Sequence, residues 1–150
     1  MAKFLIVDDD LDDREMFCEA LQQVSPQSTC YNAPNGKRAI LALDNREIEI
    51  PDLIFLDINM PVMNGWECLS RLKKAEAYRH IPVIMYSTSS DPDDARKARQ
   101  LEAVCLFSKP PSFRELKNSL ALVVHYFSTK SLESLTESSP RFLTGSIGTK

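Results

Sequence analysis

Short apolar runs of strand length alternate along the chain with longer segments in which apolar residues recur at helical spacing, the pattern of β-α repeats around a parallel sheet. The spacing predicts strands at Phe4 to Val7, Leu53 to Leu56, Val83 to Tyr86 and Val104 to Phe107, and most of these are nearly unbroken apolar, as strands covered by helices on both faces are. A weaker run around Thr29 to Asn32 suits an edge strand, which needs apolar residues on fewer sides. Between the strands, Met16, Phe17, Ala20, Leu21 and Val24 form one helical stripe, Ala39, Ile40 and Leu43 another, and Trp66, Leu69 and Leu72 a third. The later helices are unequal. Asp91 to Ala103 carries only Ala95, Ala98 and Leu101 on its inner side and should be loosely held, whereas Phe113, Leu116, Leu120, Val123, Val124 and Phe127 make a strong final face. Prolines fall almost entirely in the connections, and Asn35-Gly36 and Asn64-Gly65 supply turn chemistry just before helices. The pattern is an α/β fold of (βα)5 type, a doubly wound five-stranded parallel sheet.

From about Ser128 the composition shifts to Ser and Thr with scattered charges, so residues 1–128 are expected to form the domain and residues 129–150 a flexible tail. Leu132, Leu135, Phe142 and Leu143 are the residues through which part of that tail could dock. A chain of 150 residues with 43% hydrophobic composition has room for one core. A net charge of -3 lacks the basic excess of a nonspecific nucleic-acid binder. No apolar run approaches the ~20 residues of a membrane helix, and Met1 to Asp8 is too short and too soon acidic for a signal peptide, so a cytoplasmic location with no membrane contact is expected. Cys18, Cys30, Cys68 and Cys105 are scattered, without CxxC pairs or nearby histidines; they are expected to be buried thiols in a reducing compartment.

In an open parallel sheet, ligands bind beyond the carboxyl ends of the strands. The first strand runs into Asp8, Asp9 and Asp10, the third into Asp57, the fourth into Ser87 and Thr88, and the last into Ser108 and Lys109. Carboxylates so close together repel one another, and a hard divalent cation relieves them; Mg²⁺ suits a site of few carboxylates plus phosphate oxygens. The cation, the Lys109 ammonium and the Ser87 hydroxyl could between them hold the oxygens of a phosphoryl group arriving at Asp57.

Val7-Asp8-Asp9, the run Leu56 to Gly65, Pro82 to Ser87 and Ser108-Lys109-Pro110 together resemble the receiver domain of bacterial two-component response regulators, over residues 3 to about 127. The resemblance implies a flavodoxin-like strand order 2-1-3-4-5 and Asp57 as phosphoacceptor for a histidine kinase or phosphotransfer protein. It implies Mg²⁺ held by Asp9, Asp57 and the backbone carbonyl of Asn59, with Asp8 acting partly through water. Ser87 and Lys109 become the pair that senses the phosphoryl group, Asn59 and Ser89 flank the path of attacking water, and the Lys109–Pro110 bond is expected to be cis. Such a switch is not an enzyme beyond its own phosphorylation and dephosphorylation. With no recognisable output domain it would act through a downstream protein partner, as a relay, or as a homodimer through the helix 4, strand 5, helix 5 face.

The sequence departs from the family at its readout: Leu106 stands where an aromatic residue is common, and Pro111 replaces a bulky apolar residue after Lys-Pro. Coupling is therefore expected to pass through residues 87–104 instead. Asp8, Asp10, Asp12 and Glu19 match EF-hand ligand positions, but Asp13 occupies the required glycine and a strand precedes the loop. Asp8 and Asp10 also suggest a haloacid-dehalogenase-like phosphatase, whose late acidic pair is missing after Lys109; a receiver-like binding module without phosphorylation would be expected to have lost one of the site residues. Asp10 and Asp12 read as helix cap and first-turn residues, Trp66 as packing, and His80 and His125 as structural or surface side chains.

Overall fold

The computed structural model describes residues 1–145. Five parallel strands, β1 (Lys3–Val7), β2 (Thr29–Ala33), β3 (Leu53–Asp57), β4 (Val83–Ser87) and β5 (Cys105–Ser108), pair in the order 2-1-3-4-5. They alternate with α1 (Leu11–Val24), α2 (Gly36–Asp44), α3 (Gly65–Lys74), α4 (Pro92–Gln100) and α5 (Phe113–Ser128). Every one of these helices begins on a side chain that accepts a hydrogen bond from its own first turn: Asp10, Asn35, Asn64, Asp91 and Ser112.

The period of two along each strand sends alternate side chains to two cores. Phe4, Ile6, Phe55, Ile84 and Phe107 pack beneath α1 and α5, while Leu5, Val7, Ile54, Leu56 and Leu106 face the opposite layer with Ala39, Leu69 and Ala95 of α2, α3 and α4. The central β3 and β4 are buried along their full length, whereas β2, at the edge, is exposed or half-buried except at Ala33. As its composition predicts, α4 buries only Ala95 and Ala98.

The segment after α5 is not a flexible tail over its described part. A 3₁₀ turn (Leu132–Ser134), α6 (Leu135–Ser138) and β6 (Phe142–Leu143) fold back on the domain, and β6 pairs antiparallel with β5 as a sixth strand. Leu135 and Phe142 are buried because they find apolar partners on α5 and β5 that are remote in sequence. Residues 146–150 lie outside the described residues.

The cysteines also differ from expectation. Cys68 and Cys105 are buried thiols, but Cys18 on α1 and Cys30 on β2 form a disulfide, with Cα atoms 5.7 Å apart. The helix lies against the edge strand and carries Cys18 over it, a juxtaposition no spacing motif announces. Among the described residues every peptide bond is trans, Lys109–Pro110 included. Trans is the intrinsically favoured isomer of such a bond, by about 0.5–1 kcal/mol.

Candidate functional site

Asp8, one residue past β1, is fully buried, with both carboxylate oxygens engaged. Its Oδ1 accepts the Asp10 N–H at 3.0 Å and its Oδ2 accepts the Lys109 ammonium at 2.8 Å. Arg14 on the first turn of α1 donates to the Asp8 carbonyl at 2.7 Å and to Asn32 at 3.1 Å, tying the helix to β1 and β2. Asp9 is exposed, yet its carboxylate comes together with those of Asp8 and Asp57, with one oxygen from each lying within 4.8 Å of the others. That set of hard oxygen donors fits a hard divalent cation and offers nothing to a soft one.

Asp57 closes β3 and is 5% exposed. Burial pushes its carboxyl up from 3.8 to about 7; Lys109 opposes that rise, and the charges of Asp8 and Asp9 add to it. For Lys109 burial favours the neutral amine, but the bond to Asp8 and the charges of Asp57 and Asp8 outweigh it and hold the ammonium above its ordinary range. Ser87, at the end of β4, is buried and accepts the Ser89 N–H at 3.1 Å; the Ser89 hydroxyl in turn donates to Asp94 of α4 at 2.7 Å. The Lys109 N–H donates to the Ser87 carbonyl at 2.7 Å, which fixes the two residues relative to each other. Asn59 is exposed on the loop after Asp57.

That loop is pinched at its base. The Gly65 N–H donates to the Ile58 carbonyl at 2.8 Å, and a methyl group on Gly65 would run into the Asp57 backbone. Glycine is required there by close approach.

The strands thus deliver Asp8, Asp9, Asp57, Ser87 and Lys109 to one rim, as predicted, and leave Asp10 as the α1 cap and Asp12 exposed. His80 and His125 are exposed and away from it. Two participants escape sequence reasoning. Asp13 accepts a second bond from Lys109 at 3.0 Å, because the first turn of α1 folds over the rim. Tyr86 lies beneath the Lys109 ammonium, 5.1 Å from nitrogen to ring centre. Alternation on β4 opposite the buried Met85 could have placed its ring, but nothing local could place the lysine above it. From Tyr86 an aromatic row runs to Phe107 at 5.1 Å and on to Phe142 at 4.6 Å between centroids. Leu106 is buried on the opposite face, so the aromatic row belongs to different positions from the one the family commonly uses.

Residues 4–121 match the model of the response regulator receiver domain. The chain is 35% identical over 120 residues to the phosphate regulon transcriptional regulatory protein PhoB of Pseudomonas aeruginosa, covering 80% of this chain and 50% of that protein. It is 32% identical over 118 residues to sporulation initiation phosphotransferase F of Bacillus subtilis, covering 79% and 90% respectively. It spans half the length or less of several other curated relatives that it matches. Among solved structures, the phosphorylated cyanobacterial phytochrome response regulator RcpA superposes with a TM-score of 0.78 at 26% identity, over 86% of this chain and 95% of that one. The chemotaxis response regulator CheY4 of Vibrio cholerae gives 0.69 at 28% identity, over 82% and 98%. Five parallel strands in this order and a family match across them have one conclusion: the chain belongs to the receiver domains of two-component response regulators.

Proposed function

We propose that the protein is a phosphorylation switch in which Asp57 takes a phosphoryl group from a phosphohistidine of a histidine kinase or phosphotransfer protein. The observation that carries the reading is the buried Asp57 carboxylate, clustered with those of Asp8 and Asp9 and 3.8 Å from the Lys109 ammonium. In the transfer an Asp57 oxygen bonds phosphorus as the nitrogen–phosphorus bond breaks and the electron pair leaves with the imidazole. Lys109 and the Ser87 hydroxyl then donate to phosphoryl oxygens; Ser87 Oγ at present accepts the Ser89 N–H, and Lys109 donates to Asp8 and Asp13. Asp8, Asp9, Asp57 and the Asn59 carbonyl would hold Mg²⁺, which supplies charge neutralisation for the phosphoryl oxygens.

The competing phosphatase reading needs acidic residues after Lys109 to reach the rim. Glu115 instead accepts from Arg141 at 3.0 Å, which favours the switch. A cytoplasmic location suits such a phosphorelay, and among the described residues no helix is long and apolar enough to cross a membrane. The test is incubation with radiolabelled acetyl phosphate and Mg²⁺: one acid-labile label is expected in the wild type and none in Asp57→Asn. Label retained in that variant overturns the assignment.

A further inference from the structure

Residues 132–145 wrap the edge of β5 from the α5 side to the α4 side. Leu132 and Leu135 join the core beneath α5, Phe142 stacks on Phe107, and Leu143 packs with the core on the α4 side. Gly145, at φ +68, sits so close to the α4 backbone that a methyl group would strike Arg96. The polar contacts follow the same path: the Ser108 N–H donates to the Arg141 carbonyl at 2.8 Å, and the Arg141 guanidinium donates to Glu115 at 3.0 Å. The β5–β6 ladder is only two pairs long, Leu106 with Leu143 and Phe107 with Phe142, so the segment is held largely by side chains, with Phe142 in the aromatic seat and Leu135 buried beside it. A strand edge with free N–H and C=O groups accepts any extended segment of suitable side chains. Here the chain supplies that segment itself.

The seat is mechanically joined to the site. Ser108 precedes Lys109 and stands opposite Ser87 in the β4–β5 register. Turning Ser87 towards a phosphoryl group on Asp57 disturbs the Ser89 link, which reaches Asp94 on α4. Because α4 buries only Ala95 and Ala98, little resists its shift, and Gly145 rests on it.

We propose that the β5 edge is a docking groove for an extended segment of a partner protein, that residues 141–143 fill it as a built-in competitor, and that phosphorylation at Asp57 weakens their hold. The partner segment runs antiparallel to β5, with an aromatic side chain over Phe107 and a cation immediately before it facing Glu115, because the present occupant does both. The coupling rests on the phosphoacceptor reading; the groove does not.

A labelled peptide copying residues 138–143 tests both parts by fluorescence polarisation against the full chain. The Phe142→Ala chain, with its own segment loosened, should bind it about tenfold more tightly than the wild type, since the wild-type affinity is reduced by the fraction of closed groove. The same peptide with alanine for its phenylalanine should bind neither. Equal binding by both chains, or none by the variant while its circular dichroism is unchanged, overturns the groove. Concentration-dependent dimerisation of the wild type that excludes the peptide also overturns it, by assigning the edge to a second copy. For the coupling, beryllofluoride with Mg²⁺ should tighten peptide binding to the wild type. If acetyl phosphate labels Asp57 yet beryllofluoride leaves peptide binding unchanged, the coupling falls and the phosphoacceptor reading stands; if Asp57 takes no label, that reading falls and the coupling with it, while the groove is judged by the variant alone.

Discussion

Lys109 Nζ stands 3.8 Å from Asp57 Oδ1, beyond hydrogen-bond reach, while it is 2.8 Å from Asp8 and 3.0 Å from Asp13. The ammonium leans towards the first strand and helix and reaches the proposed acceptor only through its field. Transfer of a phosphoryl group to Asp57 would therefore draw Lys109 away from α1.

Removing that ammonium leaves Asp8 and Asp57 buried without their countercharge. Lys109→Met should lower stability by about 3 kcal/mol in urea at pH 8 with chelator present, the range for breaking a buried ion pair. Added Mg²⁺ should restore part of the loss. An unchanged unfolding midpoint would show that the pair contributes nothing net.

The raised pKa of Asp57 gives the fold a pH dependence of definite sign. Between the ordinary carboxyl value of 3.8 and about 7 the folded chain binds more protons at this residue than the unfolded chain does. Stability from this residue therefore falls as pH rises through that window and is level above it. Asp57→Asn should match the wild type near pH 4 and exceed it near pH 8 by on the order of 4 kcal/mol without divalent cation. Mg²⁺ affinity of the wild type should grow over the upper part of the same window, as the carboxyl ionises. A variant with the wild-type pH profile would contradict the burial argument.

Metal binding should separate acids that are neighbours in sequence. Asp9 shares the cluster with Asp8 and Asp57, whereas Asp12 is exposed on the first turn of α1. Calorimetric titration with Mg²⁺ should show Asp9→Ala weakened by about tenfold or more and Asp12→Ala unchanged, because a lost carboxylate ligand removes a direct bond to the ion. Equal losses would return the acidic run to the status of a generic charged loop.

The rim was legible because each of its chemical groups ends a strand, and strands announce themselves by unbroken apolar runs such as Ile54 to Leu56. Strand order and the edge position of β2 were likewise accessible from composition and resemblance. Asp13 and Tyr86 were not, because their roles arise where α1 and β4 meet Lys109, far along the chain. The same holds for the C-terminal segment. Its Ser and Thr content reads as tail, and only Phe107, some 35 positions upstream of Phe142, converts two apolar residues into a strand. The Cys18–Cys30 bond is a third case, made by packing of α1 on β2.

That bond closes a loop of 12 residues and should contribute about 2–3 kcal/mol by restricting the unfolded chain. Cys30→Ser and dithiothreitol-treated wild type should unfold at the same lower urea concentration, and the reductant should have no effect on the variant. Buried Cys68 and Cys105, whose thiols burial pushes up to about 12, should resist alkylation in both. A reductant-insensitive wild type would refute the bond's contribution.

Asn59 is the exposed polar side chain two residues past Asp57, while the Ser89 hydroxyl is committed to Asp94. Substitution of Asn59 should change the lifetime of the acyl phosphate severalfold and Ser89→Ala much less, as followed by loss of label after removal of the donor. An unchanged lifetime in Asn59 variants would count against its place beside the attacking water.

The neck at Gly65 makes the stretch from Asn59 to Asn64 a lariat, closed by the bond to Ile58 and carrying exposed Val62 at its tip. Val62 there adopts φ 70, a conformation that β-branched residues rarely take. A protease that cut the tip would sever the chain without opening the fold: β3 would remain zipped between β1 and β4, and α3 would remain anchored by its own capping box. The nicked protein would travel as one particle and part into two fragments only in denaturant. Covalent continuity of the polypeptide at this exposed turn would thus be dispensable to the shape of the site that hangs from it.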